Sequence, residues 1–481
     1  MKFFLAEYIL PTLRDMGFLP NIFFPALITV GFLYGIRLMQ SPRTALRGNR
    51  VGAVCMLVAV LLAFWQYELF GAPLAWAALI AGGLLGLVMA QRVRTIQMPQ
   101  LVALFNGLGG AASALVILAC MNLLSGEYWW FGWLVSALAL AVGSVTFSGS
   151  MVASLKLEGW IPSKPLFFRG HAFLVRWLLY FIAALIALAV IDKRPLMLYA
   201  VTVSALVYGV LLALRVGGAD MPVIISFLNS LSGIAACVSG IALGNMLAAG
   251  VGALVGVAGM ILTQIMCRAM NRDLLTVLRG FTDYKAPQEV SESRESSSGD
   301  VSQEPSARLT VADVPILLRE ARKILVVPGY GMALAQAQQA VKDLMDALEQ
   351  AGKEVKVAVH PVAGRMPGHM HVLLAEVGVD YDKLYDMAKI NPEFAETDVV
   401  VAIGACDVMN PAAASTEGTP ISGMPILKVS EAKAVIVCNL DDRPGYSGVE
   451  NTLYKQAHVI TLWGNASETV PTITAAVTQQ R

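Results

Sequence analysis

Ile324-Leu325-Val326-Val327-Pro328-Gly329-Tyr330-Gly331-Met332-Ala333-Leu334 decides how the last third of this chain is read. A short β-branched run stops at a Pro-Gly, two glycines come next with one residue between them, and Ala335–Gln350 is a helix-forming run. This is the strand–tight turn–helix layout that cradles a nucleotide pyrophosphate. Gly329 and Gly331 allow close backbone approach, and a helix N-terminus offers unpaired N–H groups and the positive end of its dipole. Leu334 stands at the third small position of that pattern, so the stretch alone fits an ordinary strand–helix turn equally well. The next fifty residues favour a ligand site. A second strand, Glu354–Val359, runs into His360-Pro361-Val362-Ala363-Gly364-Arg365-Met366-Pro367-Gly368-His369-Met370, which places glycines, prolines, Arg and His where a second crossover belongs.

Working outward, strands and helices alternate from residue 309 to residue 481. Strand Lys323–Val327 precedes helix Ala333–Gln350, and strand Val355–Val359 precedes helix Gly368–Glu376. A helical stretch Tyr381–Lys389 leads to strand Asp398–Ile403, then strands Ile426–Val429 and Ala434–Cys438, strand His458–Leu462 and helix Glu468–Thr478. Such alternation predicts a parallel, doubly wound sheet, whose ligands sit at the carboxyl ends of the strands. Two further strand ends carry candidate residues. Gly404-Ala405-Cys406-Asp407-Val408-Met409-Asn410 presents Asp407 and Asn410 either at the rim of a site or as an Asx turn before a Pro-started helix. The loop Asn439-Leu440-Asp441-Asp442-Arg443-Pro444-Gly445-Tyr446-Ser447-Gly448 is either a lid or a mobile surface loop. After Val359 no acidic residue awaits a ribose 2′-hydroxyl, and His360 and Arg365 stand there instead, which favours a phosphorylated nucleotide.

The rest of the chain lies in another solvent. Only 14% of the 481 residues are charged and 56% are hydrophobic, against about 25% charged in soluble domains. About nine apolar runs of spanning length precede residue 280: Gly17–Met39, Val51–Phe70, Ala72–Ala90, Leu101–Leu124, Tyr128–Leu155, Ala172–Ile191, Leu196–Val216, Pro222–Gly244 and Met246–Cys267. Arg43, Arg47, Arg50, Arg92, Arg94, Lys156, Lys164, Arg169, Arg215, Arg268, Arg272 and Arg279 fall in the odd loops and the tail. The positive-inside rule then puts the N-terminus outside and the C-terminal domain in the cytoplasm. Residues 281–308, rich in Ser and Glu, read as a flexible tether. No small-residue cleavage signal succeeds Met1-Lys2-Phe3-Phe4. The six cysteines are scattered without a CxxC pair and read as small core residues, neither disulfides nor metal ligands. A net charge of +1 discourages a nucleic-acid partner. Within or beside the spans, Asn106, Asp220, Asn229 and Ser230 are polar; each Asn serves either an interhelical hydrogen bond or a proton path. The fold class is therefore a membrane all-α bundle, residues 1–280, then the tether and a soluble α/β Rossmann-like domain, residues 309–481.

Several local motifs occur together. In the apolar part they are Arg47-Gly48-Asn49, Met98-Pro99-Gln100-Leu101-Val102-Ala103, Gly217-Gly218-Ala219-Asp220-Met221-Pro222-Val223 with Asn229-Ser230, and Cys267-Arg268-Ala269-Met270-Asn271-Arg272. In the soluble domain they are Pro328–Ala333, His360–Met370, Gly404-Ala405, Asp407, Asn410-Pro411-Ala412-Ala413 and Gly445-Tyr446-Ser447-Gly448-Val449. With them the chain resembles one family, the β subunit of proton-translocating nicotinamide nucleotide transhydrogenase. The resemblance implies that this chain binds NADP(H) and exchanges hydride with NAD(H) on a partner α chain, coupled to inward proton movement. It implies a heteromeric dimer of αβ units in the lipid of the inner (plasma) membrane. The cofactor-binding residues it implies are Gly329, Tyr330, Gly331, Met332, Ala333, His360, Val362, Ala363, Gly364, Arg365, Gly404, Ala405, Asp407, Asn410, Asn439, Asp441, Arg443, Gly445 and Tyr446, with Tyr446 on the lid. Hydride passes directly between nicotinamides, so no catalytic side chain and no metal is expected. Asn106, Asp220, Asn229 and Ser230 belong to the proton path and its coupling. Two positions depart from the family. Asn106 stands where a relay His is frequent, and Asn439-Leu440 stand where a Lys-Arg pair grips the 2′-phosphate, leaving Arg443 as its replacement. The alternative function is a nucleotide-gated channel or transporter with a dinucleotide-sensing domain.

Overall fold

The computed structural model describes residues 22–94, 97–121, 130–162, 165–166, 168–217, 220–270, 273–279, 309–364, 368–416, 419, 421–445 and 447–478. They form two units, residues 1–215 with 224–263 and residues 216–223 with 264–481. The expected tether lies outside the described residues.

The membrane region is helical: α1 Phe24–Met39, α2 Pro42–Gln66, α3 Pro73–Arg92, α4 Met98–Cys120, α5 Trp130–Glu158, α6 His171–Asp192, α7 Pro195–Leu214, α8 Met221–Ala242 and α9 Met246–Ala269. Among the described residues, eight of these, α2–α9, are long and apolar enough to cross a membrane, and α1 is a shorter apolar helix. The start of the first expected span, residues 17–21, is not described. Helices are the natural answer to such runs, because lipid offers no partner for an open N–H or C=O. Proline stands in the first turn of α1, α2, α3, α4 and α7, where its missing N–H removes no helical bond.

Two expectations are corrected here. Arg47, Gly48, Asn49 and Arg50 are not in a loop: extended Ser41 and then Pro42 start α2 early. Gly48 is needed there, because a Cβ would come within 2.6 Å of the Gly35 carbonyl oxygen on α1. At the other end, α2 stops at Gln66 and Glu68 adopts a left-handed φ of 52°. Lys156 likewise lies inside α5 and not in the next loop; its Nζ donates to the Leu214 carbonyl at 2.7 Å.

Small residues set the packing. A Cβ at Gly110 would meet the Gly143 carbonyl at 2.7 Å, and one at Gly209 would meet the Val145 carbonyl at 2.5 Å, so α4, α5 and α7 touch backbone to backbone. Gly233 against Gly256 and Gly252 against Cys237, where an added Cβ would come within 2.3 Å of backbone, join α8 and α9 in the same way. In lipid, where burying apolar surface gives little net drive, this approach and the hydrogen bonds it permits hold helices together.

The soluble part carries one six-stranded sheet: β1 Lys323–Pro328, β2 Glu354–Val359, β3 Leu384–Asp386, β4 Val399–Ile403, β5 Ala434–Asn439 and β6 Val459–Trp463. All strands are parallel in the order β3-β2-β1-β4-β5-β6. This is the doubly wound order with its switch point between β1 and β4. The central strands are buried along almost their whole length, which is why they read as continuous apolar runs without alternation. At the amino end, the Asp398 carboxylate accepts from the backbone N–H groups of Arg322 and Lys323 and pairs with Lys433. Lys433 first, and then those N–H groups, hold its pKa down at about 2.

Three elements differ from the sequence reading. The single helix Ala333–Gln350 is two, Tyr330–Leu334 and Gln338–Gln350, separated at Gln336 with φ 53°. Within Tyr381–Lys389, Leu384–Asp386 is an edge strand paired with β2, too short and polar to announce itself. Ile426–Val429 alternates buried and exposed residues like a strand but pairs with none among the described residues. Other contacts hold it instead: Asn391 Nδ2 donates to the Ile426 carbonyl, and the Leu427 N–H donates to the Val408 carbonyl.

Gly404 has φ 65°, and a Cβ there would lie 2.1 Å from the Met332 nitrogen, whereas Gly352, with φ 78°, faces open space. Gly404→Ala should therefore destabilise the soluble domain by at least about 2 kcal/mol, and Gly352→Ala by about 1 kcal/mol. Thermal unfolding of the full chain in detergent, monitored at its C-terminal transition, checks the order.

Candidate functional site

The switch point is closed by backbone. The Gly329 N–H donates to the Ile403 carbonyl and the Gly331 N–H to the Gly404 carbonyl, both at 2.8 Å. A Cβ at Gly329 would stand 2.2 Å from the Gly404 oxygen, and one at Gly331 would stand 2.7 Å from the Gly404 Cα. The Gly-x-Gly turn thus has a reason independent of any ligand: the loop after β4 crosses directly over it. Met332 and Ala333 are buried beneath the turn, while Tyr330 is half-buried with its ring 6.4 Å from that of His369.

The loops after β4 and β5 are joined by side chains. Asp407 Oδ1 accepts from the Ser447 hydroxyl at 2.6 Å, and its Oδ2 accepts from the Ser447 N–H at 3.0 Å. Gly445 lies so close that a Cβ there would be 2.8 Å from this carboxylate. Asn410 is fully buried; its Nδ2 donates to the Glu450 carbonyl and its Oδ1 accepts from the Ala412 N–H. Asn451 Nδ2 donates to the Cys406 carbonyl. Asn439, buried at the end of β5, donates through Nδ2 to the Ala405 carbonyl and to the Tyr454 hydroxyl. The Ala405 oxygen can only accept, so it fixes which way the Asn439 amide points. Asn439 Oδ1 then has no hydrogen-bond partner among the described residues. Ser447, Asn451 and Tyr454 belong to this seam, although the sequence pattern did not single them out. Their only signal was a cluster of polar residues shortly after β5.

Charge depends on burial. Desolvation raises the Asp407 pKa above the usual carboxylate value, opposed by the two bonds from Ser447. Desolvation, together with the neighbouring Asp407 charge, raises the Cys406 thiol, and desolvation raises the Tyr454 phenol. At the end of β2, His360 is 1% exposed. Its Nε2–H donates to the Pro425 carbonyl at 2.8 Å and its Nδ1 accepts from the Val362 N–H, so both nitrogens are satisfied in the neutral ring. Burial lowers its pKa to about 4. Ala363 is buried and Val362 half-buried in the adjoining turn; Gly364, at φ 102°, leaves room for the His369 ring.

The remaining candidates are more scattered. Arg443 is exposed, 3.7 Å from the Asp441 carboxylate, which also accepts the Arg443 backbone N–H. Leu440 is 68% exposed. Arg365 and Tyr446 lie outside the described residues. In the helical region, buried Asn106 donates through Nδ2 to the Ile225 carbonyl at 3.3 Å, tying α4 to α8. Ser230 donates to the Gly256 carbonyl, Thr263 donates to the Gly259 carbonyl, and the Thr263 and Ser226 hydroxyl oxygens lie 3.1 Å apart. Asn229 is half-buried, and its side chain makes no hydrogen bond to a described residue. Asp220 is buried within electrostatic reach of Cys267. All six cysteines are free, and among the described residues no group of three His, Cys, Asp or Glu could hold a metal.

This geometry makes two predictions. His360 has a folded pKa below its unfolded value, so the unfolded chain binds the extra proton. Stability falls as pH drops from 6.5 towards about 4, by about 3 kcal/mol from this residue. His360→Asn should flatten that part of the pH profile of unfolding. Ser447→Ala leaves the buried Asp407 carboxylate with one donor and should destabilise the seam by about 1–3 kcal/mol at pH 7. The deficit should shrink in acid, where the carboxyl takes up a proton; hydrogen exchange of the amides around residues 445–452 reads it.

The family model described as "NAD(P) transhydrogenase beta subunit" matches residues 23–476. The chain is similar to the NAD(P) transhydrogenase subunit beta of Rhodospirillum rubrum, 39% identical over 457 residues, which covers 93% of this chain and 96% of that protein. The same figures hold for the protein of that name from one designated strain of the organism. With a parallel sheet switched between β1 and β4, a stitched pair of loops at its carboxyl end and a helical region built to cross a membrane, the chain belongs to the NAD(P) transhydrogenase beta subunit family.

Proposed function

We propose that the carboxyl ends of β1, β2, β4 and β5 hold NADP(H), and that this chain, with an α-subunit partner carrying NAD(H), couples hydride transfer to inward proton movement across the inner membrane. The observation that carries the reading is the switch point: the strand order runs outward in opposite directions from the adjacent β1 and β4 in a chain of this family, and open sheets take their ligands at that place. When bound, NADP(H) supplies the hydride chemistry through its nicotinamide ring. This chain's residues bind and orient. Gly329, Gly331, Gly404 and Ala405 keep the crevice floor to bare backbone. Asp407 and Asn410 hold the loop after β5 over it, and closure of that loop around Tyr446 excludes water. Arg365 and Arg443 are the charge partners for a 2′-phosphate. Coupling is conformational: Asp220 takes up the proton on a polar route with Asn106, Asn229 and Ser230, and its protonation biases the domain between open and closed forms. The N-terminus is outside and the soluble domain cytoplasmic.

A bound dinucleotide would give a partner to Asn439 Oδ1, a buried acceptor facing no donor among the described residues. That atom also favours a second reading of the nucleotide. An acceptor suits a hydroxyl or amide donor better than a phosphate, and Asp441 and Asp442 repel a dianion. On this second reading the chain binds NAD(H) as well as, or better than, NADP(H).

Calorimetric titration of the purified full chain decides between them. The first reading predicts NADPH binding about tenfold or more tighter than NADH, with Arg443→Ala narrowing the ratio. Equal affinities, or NADH the tighter, support the second. In sealed vesicles with the partner chain, an uncoupler should change the transfer rate; an unchanged rate removes the coupling.

A further inference from the structure

Arg215 comes directly after the last residue of α7 and is only 5% exposed. Its Nε has no hydrogen-bond partner, and no carboxylate pairs with it, among the described residues. Other basic side chains converge on the same place. Lys156, buried on α5, is anchored through Nζ to the carbonyl of Leu214, the residue next to Arg215. His171, buried at the start of α6, donates through Nε2 to the Leu211 carbonyl at 3.0 Å, one turn earlier. Arg176 on α6 lies within electrostatic reach of Arg215. The Leu166 N–H also donates to the Leu214 carbonyl. Thus the Leu211 and Leu214 carbonyls at the C-terminal end of α7, which would repel an anion, are already engaged, and no carboxylate among the described residues offsets Arg215.

A buried guanidinium without a counter-charge is costly, and its planar fork matches the oxygens of a phosphate. The location suits that chemistry. The ends of α5 and α7 and the start of α6 meet here, at the limit of three spanning helices. Trp160 and Phe168 project beside them, 80% and 51% exposed, as aromatic residues do at headgroup depth. We propose that Arg215, with Lys156 fixed beside it, binds one phosphate group at this end of the bundle, from an anionic phospholipid headgroup or from free phosphate.

The test is native mass spectrometry of the delipidated full chain in a phosphate-free detergent. It is titrated with phosphatidylglycerol, with inorganic phosphate and with a diacylglycerol glucoside that lacks phosphate. Wild type should bind phosphatidylglycerol or inorganic phosphate and not the glycolipid, and which of the two binds names the source. Arg215→Gln should weaken that binding about tenfold or more, and Arg215→Lys, which keeps the charge and loses the fork, by an intermediate amount. No phosphate binding by wild type, equal binding of the glycolipid, or binding unchanged in both variants would overturn the proposal. If Arg215→Gln does not fold, wild type and Arg215→Lys decide it by the same criteria.

Discussion

The two hydrogen bonds that Ser447 gives to the Asp407 carboxylate carry the geometry of the whole carboxyl edge of the sheet. They hold the loop after β5 against the loop after β4, and the β4 loop in turn lies across the Gly329–Gly331 turn. Three strand ends are therefore one mechanical object. Asn439, bonded to the Ala405 carbonyl and the Tyr454 hydroxyl, adds a second tie between the same loops. Because the carboxylate is buried, the join is strong when its donors are in place and expensive when one is lost.

The helical region obeys the same economy of contact in a different solvent. Glycine against backbone at Gly110, Gly209, Gly233 and Gly252 brings helices close enough for Asn106, Ser230 and Thr263 to reach carbonyls on their own or neighbouring helices. Asn106 takes the first of the two readings available from sequence. It makes an interhelical bond, and it remains a polar group buried among spanning helices, where such groups are few.

Much of this was legible in the residues themselves. The apolar runs of β1, β4 and β5 are strands because they are buried on both faces, and the spanning runs are helices because lipid leaves the backbone no other partner. The misread parts fail for one reason: local pattern does not say what lies alongside. Ile426–Val429 has a strand's alternation but no strand next to it among the described residues, and Asn391 and Val408 hold that segment instead. Leu384–Asp386 has little of a strand's composition, yet β2 offers it an open edge. Lys156 looks like a loop cation, but the Leu214 carbonyl draws it into a helix end.

The residues alone determined the apolar helical region, the alternation after it that demands a parallel sheet, and the family motifs. These depend on composition and on contacts close in sequence. Only the tertiary structure decided the roles of individual side chains. It turned Asn439 inward to Ala405 and Tyr454, committed both Asp407 oxygens to Ser447, satisfied both nitrogens of His360, and gathered Lys156, His171 and Arg215 at one end of α7. Most of those roles are set by a partner tens of residues distant in sequence, and a hydrogen bond of about 3 Å depends on where the backbone has brought that partner.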